Sequence, residues 1–237
     1  MQVRSVRART ALAGVAGLAA VAVAATAVVE AQTPSKASFF LTSVGKGSGA
    51  NLGGLAGADA HCTNLAKKAG LVRTNWRAYL SATPTKDKDG KDVAGVNARD
   101  RIGKGPWRNG KGVVVARNVA DLHSERSKIT QDTALTEKGE RIPGRAESQA
   151  KRAPNQHDIL TGSDPQGMYS TAGGDTTCGN WTKSAEGSAI VGHHDRVGLN
   201  PFRHMTSWNS SHGSRGCSQD NLKSSGGAGL IYCFSEK

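Results

Sequence analysis

The sequence predicts an α+β fold, a single loop-rich domain of short strands with one or two helices. Three observations carry that prediction. One segment, residues 55–69, has a helical apolar period while the other apolar runs are short and rich in β-formers. Glycine supplies 30 of 237 residues, about twice the usual share of about 7%, which calls for many turns. The 37% apolar content, without a glycine every third residue, excludes collagen and whole-chain disorder.

Taken in chain order, Arg4, Arg7 and Arg9 precede an uncharged, alanine-rich stretch over residues 10–29 that ends in Val29-Glu30-Ala31. This predicts a signal peptide over residues 1–31, cleaved after Ala31. An uncleaved membrane anchor is the competing reading. No second apolar stretch of spanning length follows, so no membrane span is expected in the mature chain. Residues 32–38 form a polar leader and residues 39–237 the domain. With 31 Lys and Arg against 19 Asp and Glu, the formal charge is +12. That balance favours anionic partners.

Export, secreted or periplasmic, changes the meaning of Cys62, Cys178, Cys217 and Cys233. In an oxidising compartment an even cysteine count reads as disulfides, and four cysteines permit three pairings. A cysteine zinc site needs closely spaced pairs, and there is no C-x-x-C.

Phe39-Phe40-Leu41-Thr42-Ser43 predicts a strand that stops at the glycines of GKGSGANLGG. In residues 55–69, Ala58, Cys62, Leu65, Ala66 and Ala69 recur at three- and four-residue steps and Gly70 follows Lys67-Lys68, predicting an amphipathic helix with a glycine stop. WRAYLS puts Trp76, Ala78 and Leu80 on one side of a strand and Arg77, Tyr79 and Ser81 on the other. TKDKDGKDV has Asp87, Asp89 and Asp92 but not the other ligands of a calcium loop, and reads as a solvated turn. GPWRNGK has Gly112 where a phosphate-binding loop needs Ser or Thr, so no nucleotide is expected. Residues 113–116 predict a short buried strand. Residues 124–154 hold 7 Lys and Arg and 5 Asp and Glu with few large apolar side chains, and predict a charged surface insertion. Order returns with HDILTGSDPQG, CGNW, AIVGHHDR and a strand over residues 230–234.

Several blocks, in this order, resemble the endostatin module of collagens XV and XVIII, which has the C-type-lectin-like fold. They are GADAHC (57–62), WRAYLS (76–81), VNARD with a following Pro106-Trp107, GSDPQG (162–167), CGNW (178–181), Cys217 and LIYC (230–233). The chain also resembles secreted bacterial lectin-like proteins. The resemblance implies mixed, mostly antiparallel sheets with long loops, and nested disulfides, Cys62 with Cys233 and Cys178 with Cys217. Such a pairing would pin the first helix to the last strand.

For chemistry, Trp208-Asn209 resembles the W-N-D motif of calcium-dependent lectins, but Ser210 stands where the carboxylate belongs, and calcium prefers anionic oxygens. The zinc-binding histidines of endostatin have no counterpart near residue 32. His193, His194 and Asp195, with His212 or His204, form a different candidate metal cluster, for zinc or calcium. Adjacent strand residues point to opposite faces, so both histidines reach one ion only from a turned loop. No confident cofactor follows. Neither a G-x-S-x-G elbow nor an H-E-x-x-H helix is present, and Asp158, Asp164, Asp175 and Glu186 are carboxylates singled out by location alone.

Arg196, Arg203, Trp208, Asn209 and Arg215 remain as the candidate ligand-binding set, cations beside an aromatic ring suited to a sulfated or carboxylated sugar. The expected function is a non-enzymatic, lectin-like binding module for anionic glycans or envelope polymers. The alternatives are a metal-dependent hydrolase centred on the HHD segment and a protein-binding adhesion module.

Overall fold

Residues 35–236 are described in the computed structural model; the predicted signal peptide lies outside them. From the amino end come β1 (Phe39–Leu41), α1 (Gly54–Lys68), β2 (Trp76–Ala78), β3 (Thr85–Lys86), β4 (Asp92–Val93), α2 (Ala98–Arg101), β5 (Trp107–Arg108), β6 (Val114–Ala116) and α3 (Val119–Leu122). Then follow α4 (Arg145–Gln149), β7 (Asp158–Leu160), the single turn α5 (Cys178–Trp181), β8 (Ile190–His193), β9 (His212–Gly213), α6 (Gln219–Ser225) and β10 (Gly227–Ser235). The fold is α+β, with few helices and mostly antiparallel pairing. Among the described residues no helix is long and apolar enough to cross a membrane.

The central sheet is organised by β10. Its carboxyl half pairs antiparallel with β1, Phe40 opposite Cys233, and with β2, Ala78 opposite Cys233. Its amino half runs parallel to β7, which continues antiparallel to β8 and then β9. Side chains alternate across a strand, and here both faces are covered. Ile231 and Cys233 face a core with Phe40, Ala78 and Leu160, while Leu230, Tyr232 and Phe234 face a second core with Phe39, Tyr79 and Ile159. The alternation predicted for WRAYLS holds: Trp76, Ala78 and Leu80 enter the first core and Tyr79 the second.

The predicted helix is α1, its stripe Ala58, Cys62 and Ala66 buried and its end followed by Gly70 at φ +70°. Asp59 on this helix accepts from the Ala78 backbone N–H at 2.9 Å and from Arg101 Nη2 at 2.8 and 2.9 Å, joining α1, β2 and α2. Disulfides join Cys62 to Cys233 and Cys178 to Cys217, the nested arrangement that the resemblance implies. The first fastens α1 to β10 across 171 residues and the second closes 39. In the chain-entropy model such loops restrict the unfolded state by about 5 and about 4 kcal/mol.

TKDKDGKDV forms the exposed β3–β4 hairpin, where Asp87 Oδ1 accepts from the N–H groups of Asp89 and Lys91. GPWRNGK opens the β5–β6 hairpin, where Asn109 Oδ1 takes the N–H groups of Lys111 and Val113.

Residues 124–154 are not a surface insertion. Ile129, Ala134 and Ile142 are buried in the second core, Leu135 is buried too, and the Leu41 N–H donates to Leu135 O at 2.9 Å. Glu137 accepts from the Ser43 N–H and hydroxyl. A few well-placed apolar residues suffice because the segment covers a face of the sheet already rich in aromatics, while its charges stay outside.

Candidate functional site

The carboxyl-side strands bring together a polar cluster. In the β7–β8 ladder Asp158 stands opposite His193 and Leu160 opposite Val191; in the β8–β9 ladder Val191 stands opposite His212. Leu160 and Val191 point into the first core, and two residues along each strand the same face carries Asp158 and His193. His212 joins diagonally from β9, and His157 from the residue just before β7. Gly192, between Val191 and His193, allows the chain to pass Trp208; a Cβ there would sit 1.9 Å from Trp208 O.

One carboxylate oxygen lies at the centre. Asp158 Oδ1 is 3.2 Å from His157 Nε2, 3.2 Å from His193 Nε2 and 3.6 Å from His212 Nε2, and His193 Nε2 is 3.0 Å from His212 Nε2. Despite these distances, neither oxygen of Asp158, whose side chain is 1% exposed, has a hydrogen-bond partner. The ring nitrogens are near it but do not aim at it.

The far nitrogen of each ring is held by an acceptor. His157 Nδ1 faces Asp195 Oδ1 and Oδ2 at 3.1 and 3.2 Å, His193 Nδ1 faces Met205 O at 2.7 Å and His212 Nδ1 faces Gly213 O at 3.0 Å. Asp195 also accepts from the N–H groups of Arg145 and Val197. Burial pushes its carboxyl up, but His157 and these N–H groups prevail and bring it down to about 2. Gly144 is required at this point, since a Cβ would lie 2.5 Å from Asp195 Oδ2. Contact with Asp158 raises the His212 imidazole above its ordinary range in spite of burial.

His157, His193 and His212 line an open cleft of about 490 Å³ together with Arg145, Arg215, Lys223, Leu199 and Met205. His212, with its side chain 30% exposed, connects floor to solvent. No protein-family model matches this chain, and no curated protein matches it.

The sequence-predicted residues divide between this cleft and other places. Of the candidate metal cluster, only His193 is a donor at the centre. His194 lies in the turn after β8, buried with neither ring nitrogen hydrogen-bonded; burial pushes it down to about 4. Asp195 acts one step out, through His157. His212 lies beside the centre, its Nε2 3.0 Å from His193 Nε2, and His204 is exposed on its loop beside Phe202. Among the described residues, the donor atoms that come together are those of His157, Asp158 and His193, not those of His193, His194 and Asp195.

Of the candidate ligand-binding set, only Arg215 lines the cleft. Arg196, Arg203, Trp208 and Asn209 meet elsewhere, around a groove of about 60 Å³, far below the about 300 Å³ at which ligand pockets begin. Trp208 is 3% exposed, donates its indole N–H to Leu122 O and packs on Tyr79 and Tyr232. Asn209 donates to Tyr79 Oη and Asp164 O, and Arg196 Nε to Ile129 O. These three hold the core together, because the loop after β8 turns back onto the second core; a buried indole has no face to offer a sugar.

Among the carboxylates, Asp158 is central. Asp164 caps a turn through the N–H groups of Gln166 and Met168. Asp175 accepts from Gly179 N–H and Lys183, supporting α5, whose residues from Cys178 to Trp181 all have positive φ. Glu186 is exposed. Sequence reasoning missed His157, Arg145 and the place of Lys223. The only local signal for His157 was its position beside an aspartate at the start of a strand.

Proposed function

We propose that the protein is an exported, lectin-like binding domain that takes an anionic glycan or envelope polysaccharide in the cleft above the histidine cluster. One observation carries this reading: Arg145, Arg215 and Lys223 converge on a single cleft from three separate segments. Among the described residues, neither Arg145 nor Arg215 has an acidic side chain as ion-pair partner, and the contact of Lys223 with exposed Asp220 is 4.0 Å long. Guanidinium groups left free at a concave site suit sulfate or carboxylate groups. Leu199 and Met205 supply an apolar wall for the sugar ring. Two disulfides fit an oxidising compartment. The nested disulfides that fasten the first helix to the last strand are what the likeness to endostatin implies, and they support the lectin-like reading.

The test is elution from immobilised heparin along a salt gradient. The triple variant Arg145→Gln, Arg215→Gln and Lys223→Gln is compared with the wild type and with Lys67→Gln, Lys68→Gln and Lys88→Gln, which removes equal charge from exposed sites elsewhere. The cleft variant is expected to elute at clearly lower salt than both. Equal elution of the two variants would refute a site in the cleft and leave only diffuse charge attraction. Retention on neither heparin nor other anionic polysaccharides would turn the assignment toward a protein partner.

A further inference from the structure

We infer that His157, Asp158 and His193 form a transition-metal centre at the floor of the cleft, with zinc the ion best matched to the donor set. This does not depend on which ligand the cleft takes.

The donor atoms of His157, Asp158 and His193 all lie within 4.8 Å of one another, with Asp158 Oδ1 3.2 Å from both His157 Nε2 and His193 Nε2. Zinc binds imidazole nitrogen at about 2.0–2.1 Å and carboxylate oxygen at about 2.0–2.2 Å, so tetrahedral donors lie about 3.3 Å from one another. Hydrogen bonding among the three groups does not account for this packing. Asp158 has three imidazole nitrogens near one oxygen, and neither of its oxygens receives a hydrogen bond. A buried, unpartnered carboxylate is costly, and a cation bound with His157 and His193 resolves that cost.

The proton positions lead to the same conclusion. Asp195, Met205 O and Gly213 O are acceptors, so each ring carries its proton on Nδ1, and a neutral ring then presents a bare lone pair at Nε2. A proton shared between His193 and His212, whose Nε2 atoms are 3.0 Å apart, would leave His157 Nε2 and Asp158 unpartnered. A divalent cation satisfies His157, Asp158 and His193 at once. Histidine ligands that donate their other nitrogen to a carboxylate or carbonyl are the usual outer support of zinc sites, and both rings have it here.

Donor chemistry selects the ion. Two imidazoles and one carboxylate suit zinc, copper, iron or nickel and disfavour calcium and magnesium, which require mostly oxygen ligands. Three protein donors leave the fourth tetrahedral position open.

The experiment uses purified, disulfide-intact protein stripped with a chelator and titrated with zinc alone in a calorimeter, then with cobalt(II) as a spectroscopic substitute. One zinc per chain is expected, together with a visible cobalt spectrum of four-coordinate intensity. His193→Ala is expected to weaken zinc binding beyond the about 10–100-fold typical of losing an outer support. His61→Ala and His204→Ala are expected to bind like the wild type. If His193→Ala fails to fold, the zinc stoichiometry of the wild type still decides the question. Absence of stoichiometric zinc from the folded wild type, or undiminished affinity in folded His193→Ala, would overturn the assignment.

Discussion

The imidazoles of His157 and His193 lie face to face, ring centroids 4.0 Å apart and planes inclined by 10°, with Asp195 fixing the first through its Nδ1. Asp195 is therefore a positioning residue. Asp195→Asn retains an oxygen for the N–H groups of Arg145 and Val197 but weakens the hold on His157. Zinc affinity should fall about 10–100-fold while one-to-one stoichiometry persists. Unchanged affinity in a folded variant would mean that Asp195 serves only the loop.

The disulfides should differ in weight. Replacing Cys62 and Cys233 by serine removes the 171-residue closure, and replacing Cys178 and Cys217 the 39-residue one. The expected losses are about 5 and about 4 kcal/mol, the outer pair the greater. Urea denaturation of both double variants measures the order, and a larger loss for the inner pair would contradict a simple loop-closure account.

Trp208→Phe separates core from ligand roles. It leaves Leu122 O without the indole donor in a buried setting, with an expected cost of about 1–3 kcal/mol. Heparin elution of the folded variant should match the wild type. A large drop in retention would restore Trp208 as a binding residue.

Acid should act through His123. Burial holds this imidazole below its ordinary value even though Val119 O supports it, and its Nε2 pairs with Tyr79 Oη. The unfolded chain therefore takes up the proton first as pH falls through about 6.5, and the stabilisation from neutral His123 is complete above that value and lost below it. The thermal-midpoint advantage of the wild type over His123→Gln should shrink between pH 7.5 and pH 5; contributions from the other histidines are common to both proteins. An advantage that grows on acidification would reverse the sign.

Much of the scaffold was legible because its signals are local. The stripe of Ala58, Cys62 and Ala66, the glycine at 70 and the alternation through Trp76, Ala78 and Leu80 each declare an element within a few residues. The site was legible only in fragments. His193, His212 and Asp158 were each singled out, but their union depends on the registers Asp158 opposite His193 and Val191 opposite His212, and strand pairing across long separations leaves no mark in either segment. His157 was lost for that reason. Trp208 and Asn209 were misplaced because a motif borrowed from calcium lectins says nothing about which way the loop folds. Residues 124–154 misled because low apolar content hides four residues that all face inward.

The cleft as the binding site is tested most directly by nuclear magnetic resonance of protein labelled with nitrogen-15, titrated with a short heparin oligosaccharide. The backbone signals of Arg145, Arg215 and Lys223 and the ring signals of His212 should shift together and saturably, while those of His61 and of the exposed β3–β4 hairpin stay in place. Saturable shifts confined to another surface, such as the basic stretch around Arg126 and Lys128, would contradict the account.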